Sequence, residues 1–335
     1  MRIAVIGSGS WGTAIAAIAA HNSEVVLWAR RPELARAIAE RGENPDYLAG
    51  HTLPPLAATA DLAEAIVGSD VVVMGVPSHG YRSVLEQAAR HIPPSAPILS
   101  LTKGIEQATH LRMTEVTAQV LTHHDRSRIG VLSGPNLARE VIAGQPAATV
   151  IAMTDMATAR MLQPLFMTPT FRVYTNPDVI GAETAGALKN VMAIAAGIAR
   201  GLEFGMNTLA TLITRALAEL TRLGVALGGQ PLTFGGLAGV GDLVATCSSA
   251  ESRNNRVGYE LGRGRKLDDI VAEMKMVAEG VKTTRAVLEL AATHSIEMPI
   301  AEAVGNVLHA GEDPRSAIAR LMAREAKPEG HGIVL

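Results

Sequence analysis

RIAVIGSGSWGTA, residues 2–14, decides the fold. Ile3–Ile6 is a short apolar run with β-branched side chains, the composition of a strand buried on both faces. Gly7, Gly9 and Gly12 follow in G-x-G-x-x-G spacing. In a dinucleotide-binding turn the first glycine makes the tight turn, the second lets a pyrophosphate approach the backbone, and the third lets the helix pack close to the strand. The helix that starts there offers free N–H groups and a partial positive charge to phosphates. Glycine spacing alone is a weak signal in a chain with 32 glycines. Its place between a first strand and a first helix separates it from an ordinary βα turn.

Working outward, Trp11–His21 carries apolar residues at helical spacing, and Glu24–Ala29 is the next strand. Strand, helix and strand with short links call for parallel pairing by a right-handed crossover. Pro32 suits the first turn of a helix over Glu33–Arg41. Gly42–Pro55 is irregular, and Thr59-Ala60-Asp61 reads as a helix cap before Leu62–Val67. Strands are predicted at Asp70–Val76, Pro97–Thr102, Arg128–Leu132, Ala147–Met153 and Phe171–Tyr174, and intervening helices at Ser78–His91, Leu111–Leu121 and Met156–Phe166. This alternation predicts a doubly wound α/β sheet of Rossmann type. From Asp178 the rhythm becomes helical: Val179–Arg200, Leu209–Leu223, Leu267–Glu273, Val281–Thr293, Ile300–Leu308 and Pro314–Arg324. The expected division is a dinucleotide-binding domain over residues 1–177 and an all-α substrate and catalytic domain over residues 178–335.

The length of 335 residues fits two domains. A net charge of −2 gives no global pull toward nucleic acid or membrane. Cys247 is the only cysteine, so no intrachain disulfide forms, as in a reducing compartment. Ile3–Ile6 is too short for a signal-peptide core, and Val191–Ala199 is too short to span a bilayer. A cytoplasmic protein is expected, with no stable membrane insertion. The histidines show no metal-ligand spacing, and no metal is expected.

Ligands of open α/β sheets sit at the carboxyl ends of the strands. The predicted strands end in Gly7–Gly12, Pro77-Ser78-His79, Thr102-Lys103-Gly104 and Ser133-Gly134-Pro135-Asn136. At the end of the second strand, where an acidic residue would bond the adenosine ribose, stand Arg30 and Arg31. A guanidinium pairs with a 2′-phosphate, which points to NADP or to use of both NADP and NAD; solvated surface arginines are the plainer reading. Lys103 is the only lysine before Lys189. Lys189 lies in an apolar helix, where burial and a nearby cation would lower its pKa and make it a usable base; a polar stripe holding Glu183 and Asn190 is the alternative. Ser252-Arg253-Asn254-Asn255-Arg256 clusters donors suited to a phosphate monoester, or is simply a charged helix start.

GSGSWGTA at 7–14, VPSH at 76–79, TKG at 102–104, SGPN at 133–136, LKN at 188–190, GVGDL at 239–243 and SRN at 252–254 stand in one order. In this the chain resembles the bacterial NAD(P)-dependent glycerol-3-phosphate dehydrogenases along roughly its whole length. The resemblance implies a Rossmann domain followed by an all-α domain like that of 6-phosphogluconate dehydrogenase. It also implies interconversion of dihydroxyacetone phosphate and sn-glycerol 3-phosphate for phospholipid synthesis, and a homodimer. By the same resemblance Lys189 is the proton acceptor and Lys103 binds substrate near the nicotinamide. Gly134 and Asn136 border the substrate. Asp242, Ser252, Arg253 and Asn254 hold the glycerol phosphate. Ser10, Trp11, Arg30, Ala138, Arg253, Val277 and Glu279 contact the dinucleotide. Ser8 replaces a commoner alanine, and Asn136 a commoner serine or threonine, which leaves open whether its side chain or its backbone meets the substrate.

Two other readings share these features. A related dehydrogenase of hydroxy acids or sugar acids has the same two-domain plan. A dinucleotide sensor without turnover would have no need of a desolvated lysine.

Overall fold

The computed structural model describes residues 1–274 and 278–330. It contains two compact units, Met1–Thr102 with Arg112–Val179, and Lys103–Leu111 with Ile180–Leu335.

The first unit is built on β1 (Arg2–Ile6), α1 (Ser10–Ala19), β2 (Glu24–Trp28), α2 (Pro32–Arg41), β3 (Ala57–Thr59), α3 (Leu62–Ile66), β4 (Val71–Met74), α4 (Ser78–Ala88), β5 (Ile98–Ser100), α5 (Met113–Val120), β6 (Ile129–Ser133), α6 (Ala138–Ile142), β7 (Ala147–Ala152), α7 (Met156–Leu162) and β8 (Phe171–Asn176). The eight strands lie in the order β3-β2-β1-β4-β5-β6-β7-β8. All neighbouring pairs are parallel except β6 with β7, which run antiparallel. β1 lies at the switch point, between β2 and β4, in register Ile3↔Val25 and Ile3↔Val71. Ile3–Ile6 and Val71–Met74 are fully buried, as continuous apolar runs in a sheet covered on both faces require. Sequence patterning did not find β3. It is three residues long, without a β-branched run, and pairs at the sheet edge with Val26–Trp28. Within Thr59-Ala60-Asp61 the cap of α3 is Asp61, its carboxylate accepting from the Ala63 and Glu64 amides.

The second unit comprises α8 (Val179–Gly201), α9 (Met206–Ala226), α10 (Pro231–Phe234), a π-helical turn over Leu237–Gly241, α11 (Asp242–Ser248), α12 (Arg253–Gly262), α13 (Leu267–Glu273), α14 (Glu279–Thr293), α15 (Pro299–His309) and α16 (Pro314–Met322). α8 is its axis, largely apolar and buried almost throughout its length, with Glu183, Lys189 and Asn190 among the buried residues. Glycines let neighbours approach it. A Cβ at Gly258 would overlap the Ile194 carbonyl oxygen, and one at Gly280 would come within 2.6 Å of the Asn190 carbonyl oxygen.

A boundary at 177/178 assigns Lys103–Leu111 to the sheet, but the segment groups with the helices. Its contacts explain why. Ile105 is buried in the helical core, Gln107 donates to the Lys282 carbonyl oxygen at 3.2 Å, and His110 meets Glu289 at 2.7 Å.

Candidate active site

In the first unit the turn from β1 into α1 has the form that the glycines imply. Gly7 holds φ +118°, and a Cβ there would lie 2.6 Å from the Gly75 carbonyl oxygen. A Cβ at Gly12 would overlap the Gly7 carbonyl oxygen, so α1 sits as close to β1 as backbone permits. Gly9 is different: nothing lies within 4 Å of where its Cβ would be. Gly7 and Gly12 are therefore required by the fold itself, whereas Gly9 leaves an open face. No side chain caps the N-terminus of α1, so its first amides remain for a ligand's phosphates. The Trp11 indole N–H is buried and has no hydrogen-bond partner among the described residues, while its ring packs on Phe171 at 6.1 Å between centroids. These features fit a dinucleotide pyrophosphate.

The turn is braced from a segment with no periodic pattern. The Asn44 side chain, fully buried, donates to the Ser8 carbonyl oxygen at 2.9 Å and to Thr13 Oγ1 at 2.8 Å. Ser10 Oγ donates to the Tyr47 carbonyl oxygen at 3.1 Å. Arg30 and Arg31 follow β2 and are exposed. Arg31 pairs with Asp46 and, at 3.7 Å, with Glu33, while Arg30 makes no ion pair among the described residues. Gly134 is buried just beyond β6, Asn136 follows it, and Ala138 opens α6.

The second unit holds a separate cluster. Lys189, on α8, is only 6% exposed, so the polar-stripe alternative fails. Its Nζ lies 2.7 Å from Asp242 Oδ1 and also donates to Thr246 Oγ1. Lys103 Nζ reaches the other oxygen of the same carboxylate, Asp242 Oδ2, at 2.6 Å. Asp242 and Thr246 stand four residues apart on α11 and so share a helix face. Asn190 Nδ2 donates to the Lys103 carbonyl oxygen at 3.0 Å and ties the lysine loop to α8. One carboxylate thus faces two ammonium groups, one on each oxygen. Burial pushes the Lys189 ammonium down to about 8; Asp242 works against that shift and Lys103 reinforces it. Cys247, next to Thr246, has its thiol pushed up to about 12 by burial, which makes it a poor nucleophile.

The donor cluster at the start of α12 also has an ordered scaffold. Ser252 is the N-cap residue, its Oγ accepting from the Asn255 amide. Arg253 is exposed. Asn254 Oδ1 accepts from the Gly280 amide at 2.9 Å, which brings the start of α12 to the start of α14, where Glu279 is the first residue. Val277 lies outside the described residues. The helical unit thus gathers Lys103, Lys189, Asp242 and Asn254, while Gly7, Gly9, Ser10, Trp11, Gly12, Arg30, Arg31, Gly134, Asn136 and Ala138 belong to the sheet unit. Residue types alone did not single out Asn44 or Thr246, and they placed Asn190 only on a polar stripe beside Lys189. The four-residue spacing of Asp242 and Thr246 was the available signal for the threonine. Among the described residues no group of three or more His, Cys, Asp or Glu side chains is placed to hold a metal ion, and no helix is long and apolar enough to cross a membrane.

Family models for the N-terminus and the C-terminus of NAD-dependent glycerol-3-phosphate dehydrogenase match residues 2–159 and 178–319. The chain is 52% identical over 332 residues to glycerol-3-phosphate dehydrogenase (NAD(P)+) 2 of Sphingopyxis alaskensis, covering 99% of each chain. It is 53% identical over 335 residues to the glycerol-3-phosphate dehydrogenase (NAD(P)+) of Thermobifida fusca, again covering 99% of each. The crystal structure of glycerol-3-phosphate dehydrogenase from Coxiella burnetii superposes with a TM-score of 0.91 at 37% identity, covering 96% of this chain and 99% of that one. D-mandelate dehydrogenase, at 13% identity and a TM-score of 0.61, shares the fold alone.

Proposed function

The chain belongs to the NAD-dependent glycerol-3-phosphate dehydrogenase family, and we propose that Lys189 moves the proton in its reaction. The protein is an oxidoreductase that interconverts dihydroxyacetone phosphate and sn-glycerol 3-phosphate with NAD(P), supplying glycerol 3-phosphate for phospholipid synthesis. The bound dinucleotide supplies or takes up the hydride.

In reduction, the Lys189 ammonium stabilises the negative charge that develops on the carbonyl oxygen and donates a proton to it. In oxidation, the neutral amine takes the proton from the hydroxyl. A group held near 8 serves both directions, because neither protonation state is remote at neutral pH. Asp242 and Thr246 hold Nζ in place, so less freedom is lost as the reaction proceeds. Lys103 provides a second cation beside the substrate oxygen. Ser252, Arg253 and Asn254 bind the phosphate, and Gly134 and Asn136 border the substrate. The phosphate end thus anchors the molecule away from the reacting carbon.

Gly7, Gly9, Ser10, Trp11 and Gly12 cradle the pyrophosphate. Arg30 and Arg31 meet the adenosine end, and Arg30, without an ion pair, is the one available to a 2′-phosphate. Ala138, at the start of α6, completes the contacts of this unit with the dinucleotide. The enzyme works in the cytoplasm as a homodimer, the assembly common in the family.

The observation that carries the Lys189 role is a buried lysine whose Nζ bonds a carboxylate that a second lysine shares. The assay is oxidation of NADPH and of NADH on addition of dihydroxyacetone phosphate, in wild type and Lys189→Ala. Turnover in wild type and its loss in the variant support the assignment. Equal turnover in both defeats it.

A further inference from the structure

Thr149 lies on β7, fully buried. Its Oγ1 is 3.0 Å from the Ser133 carbonyl oxygen and 2.9 Å from the side-chain amide of Asn136. A carbonyl oxygen can only accept, so the single hydroxyl proton of Thr149 goes to Ser133. Toward Asn136 the same oxygen can then only accept, and the atom facing it must be Nδ2. The hydrogen-bond network therefore decides which way round this amide lies. Asn136 Oδ1, at the amide's other end, is buried and has no partner among the described residues. An acceptor in that position calls for an N–H or O–H donor from a ligand.

Asn136 follows β6, on the β4–β5–β6 side of the sheet, while Arg30 follows β2 on the other side of β1. A dinucleotide crosses such a sheet at its switch point. With the adenosine toward β2, the nicotinamide lies toward β4–β6. Its carboxamide presents two N–H donors, whereas an ionised phosphate presents none.

We propose that Asn136 Oδ1 accepts a hydrogen bond from the nicotinamide carboxamide, and that Thr149 is the positioning residue that keeps the amide oriented for it. This rests on the dinucleotide-dependent reading above. It divides the two ends of residue 136: the side chain serves the cofactor, and the backbone borders the substrate. Serine or threonine at this position could donate or accept. Asparagine held by Thr149 only accepts at its free end, and it thereby fixes the rotation of the nicotinamide ring.

The test is calorimetric binding of NADPH and of its reduced 3-acetylpyridine counterpart, in which a methyl group replaces the amide nitrogen. Full-length wild type, Asn136→Ala, Thr149→Val and Thr149→Ser are compared. Wild type is expected to favour the carboxamide about tenfold. Asn136→Ala brings the two affinities within about twofold. Thr149→Val, which frees the amide to turn, reduces the preference, and Thr149→Ser, which keeps the hydroxyl, retains it. If Thr149→Val does not fold, Asn136→Ala and Thr149→Ser decide the matter. Equal affinity for both forms in wild type overturns the inference, as does an undiminished preference in Asn136→Ala. Failure of wild type to bind either form overturns the dinucleotide reading itself.

Discussion

Replacing Asp242 by asparagine removes one negative charge from between two ammonium groups at 2.6 and 2.7 Å. Burial, reinforced by the Lys103 charge, depresses Lys189, and Asp242 works against both to hold it as high as about 8. Two unit charges about 3 Å apart at an effective dielectric of about 20 interact by roughly 5 kcal/mol. Asparagine keeps a neutral acceptor and admits water, so half of that is a fair expectation, about 2 pKa units. Asp242→Asn should therefore bring Lys189 from about 8 to about 6. For reduction the lysine must carry its proton. The alkaline limb of kcat/KM moves down by about 2 pH units, and at about pH 7 only about a tenth of the protein is protonated, so reduction slows about tenfold from this cause alone. For oxidation the lysine must be neutral, so the acid limb moves down as well and the variant loses nothing from protonation at neutral pH. Initial rates in both directions, from about pH 5 to about pH 9, read both limbs. Lys103 also loses its partner and KM will change, but limb position is independent of that loss. Limbs that stay near pH 8 in the variant would refute the electrostatic account of Lys189.

Arg30→Ala should weaken NADPH binding by about tenfold or more and NADH binding far less, since a guanidinium on a 2′-phosphate forms charge-assisted bonds; equal losses would remove the 2′-phosphate role. Gly12→Ala should lower stability by about 1–3 kcal/mol in denaturant titrations, because its methyl group overlaps the Gly7 carbonyl oxygen. Gly9→Ala, with open space, should leave stability unchanged and weaken dinucleotide binding by about tenfold or more; the reverse ranking would contradict the reading of the turn. Glu219 is buried on α9 and accepts from the Ile300 and Ala301 amides at 2.8 and 3.3 Å, and burial raises its carboxyl from 4.5 to about 7. Between those values the folded protein binds the extra proton, so this group's contribution to stability is lost as pH rises through the window, by about 3 kcal/mol in all. Glu219→Gln should gain on wild type by that amount between about pH 4 and about pH 8 in urea titrations, and a constant difference would show that Glu219 does not titrate there.

β1, the glycine turn and α1 could be read from the sequence because each obeys a local rule: an apolar run for a strand covered on both faces, and glycines where backbone meets backbone. Lys189 was legible for a related reason, since a lone cation in an apolar helix needs a partner. Its partners were harder to see. Asp242 stands after a glycine-rich stretch that hides the start of α11, and Asn-rich residues hide α12 in the same way. Lys103 follows a strand and so looks like part of the sheet, yet its ion pair and the burial of Ile105 place its loop with the helices. Asn44 and Thr149 were not legible at all. Each acts through a pair of hydrogen bonds to residues outside its own element, and no periodicity records bonds of that kind.

The central claim, that Lys189 moves the proton, is tested most directly by single-turnover kinetics of Lys189→Ala with cofactor and dihydroxyacetone phosphate pre-bound. The account predicts a folded protein that binds NADPH within a few-fold of wild type and a chemical step slower by about 10²–10⁴. A chemical step at the wild-type rate would contradict it.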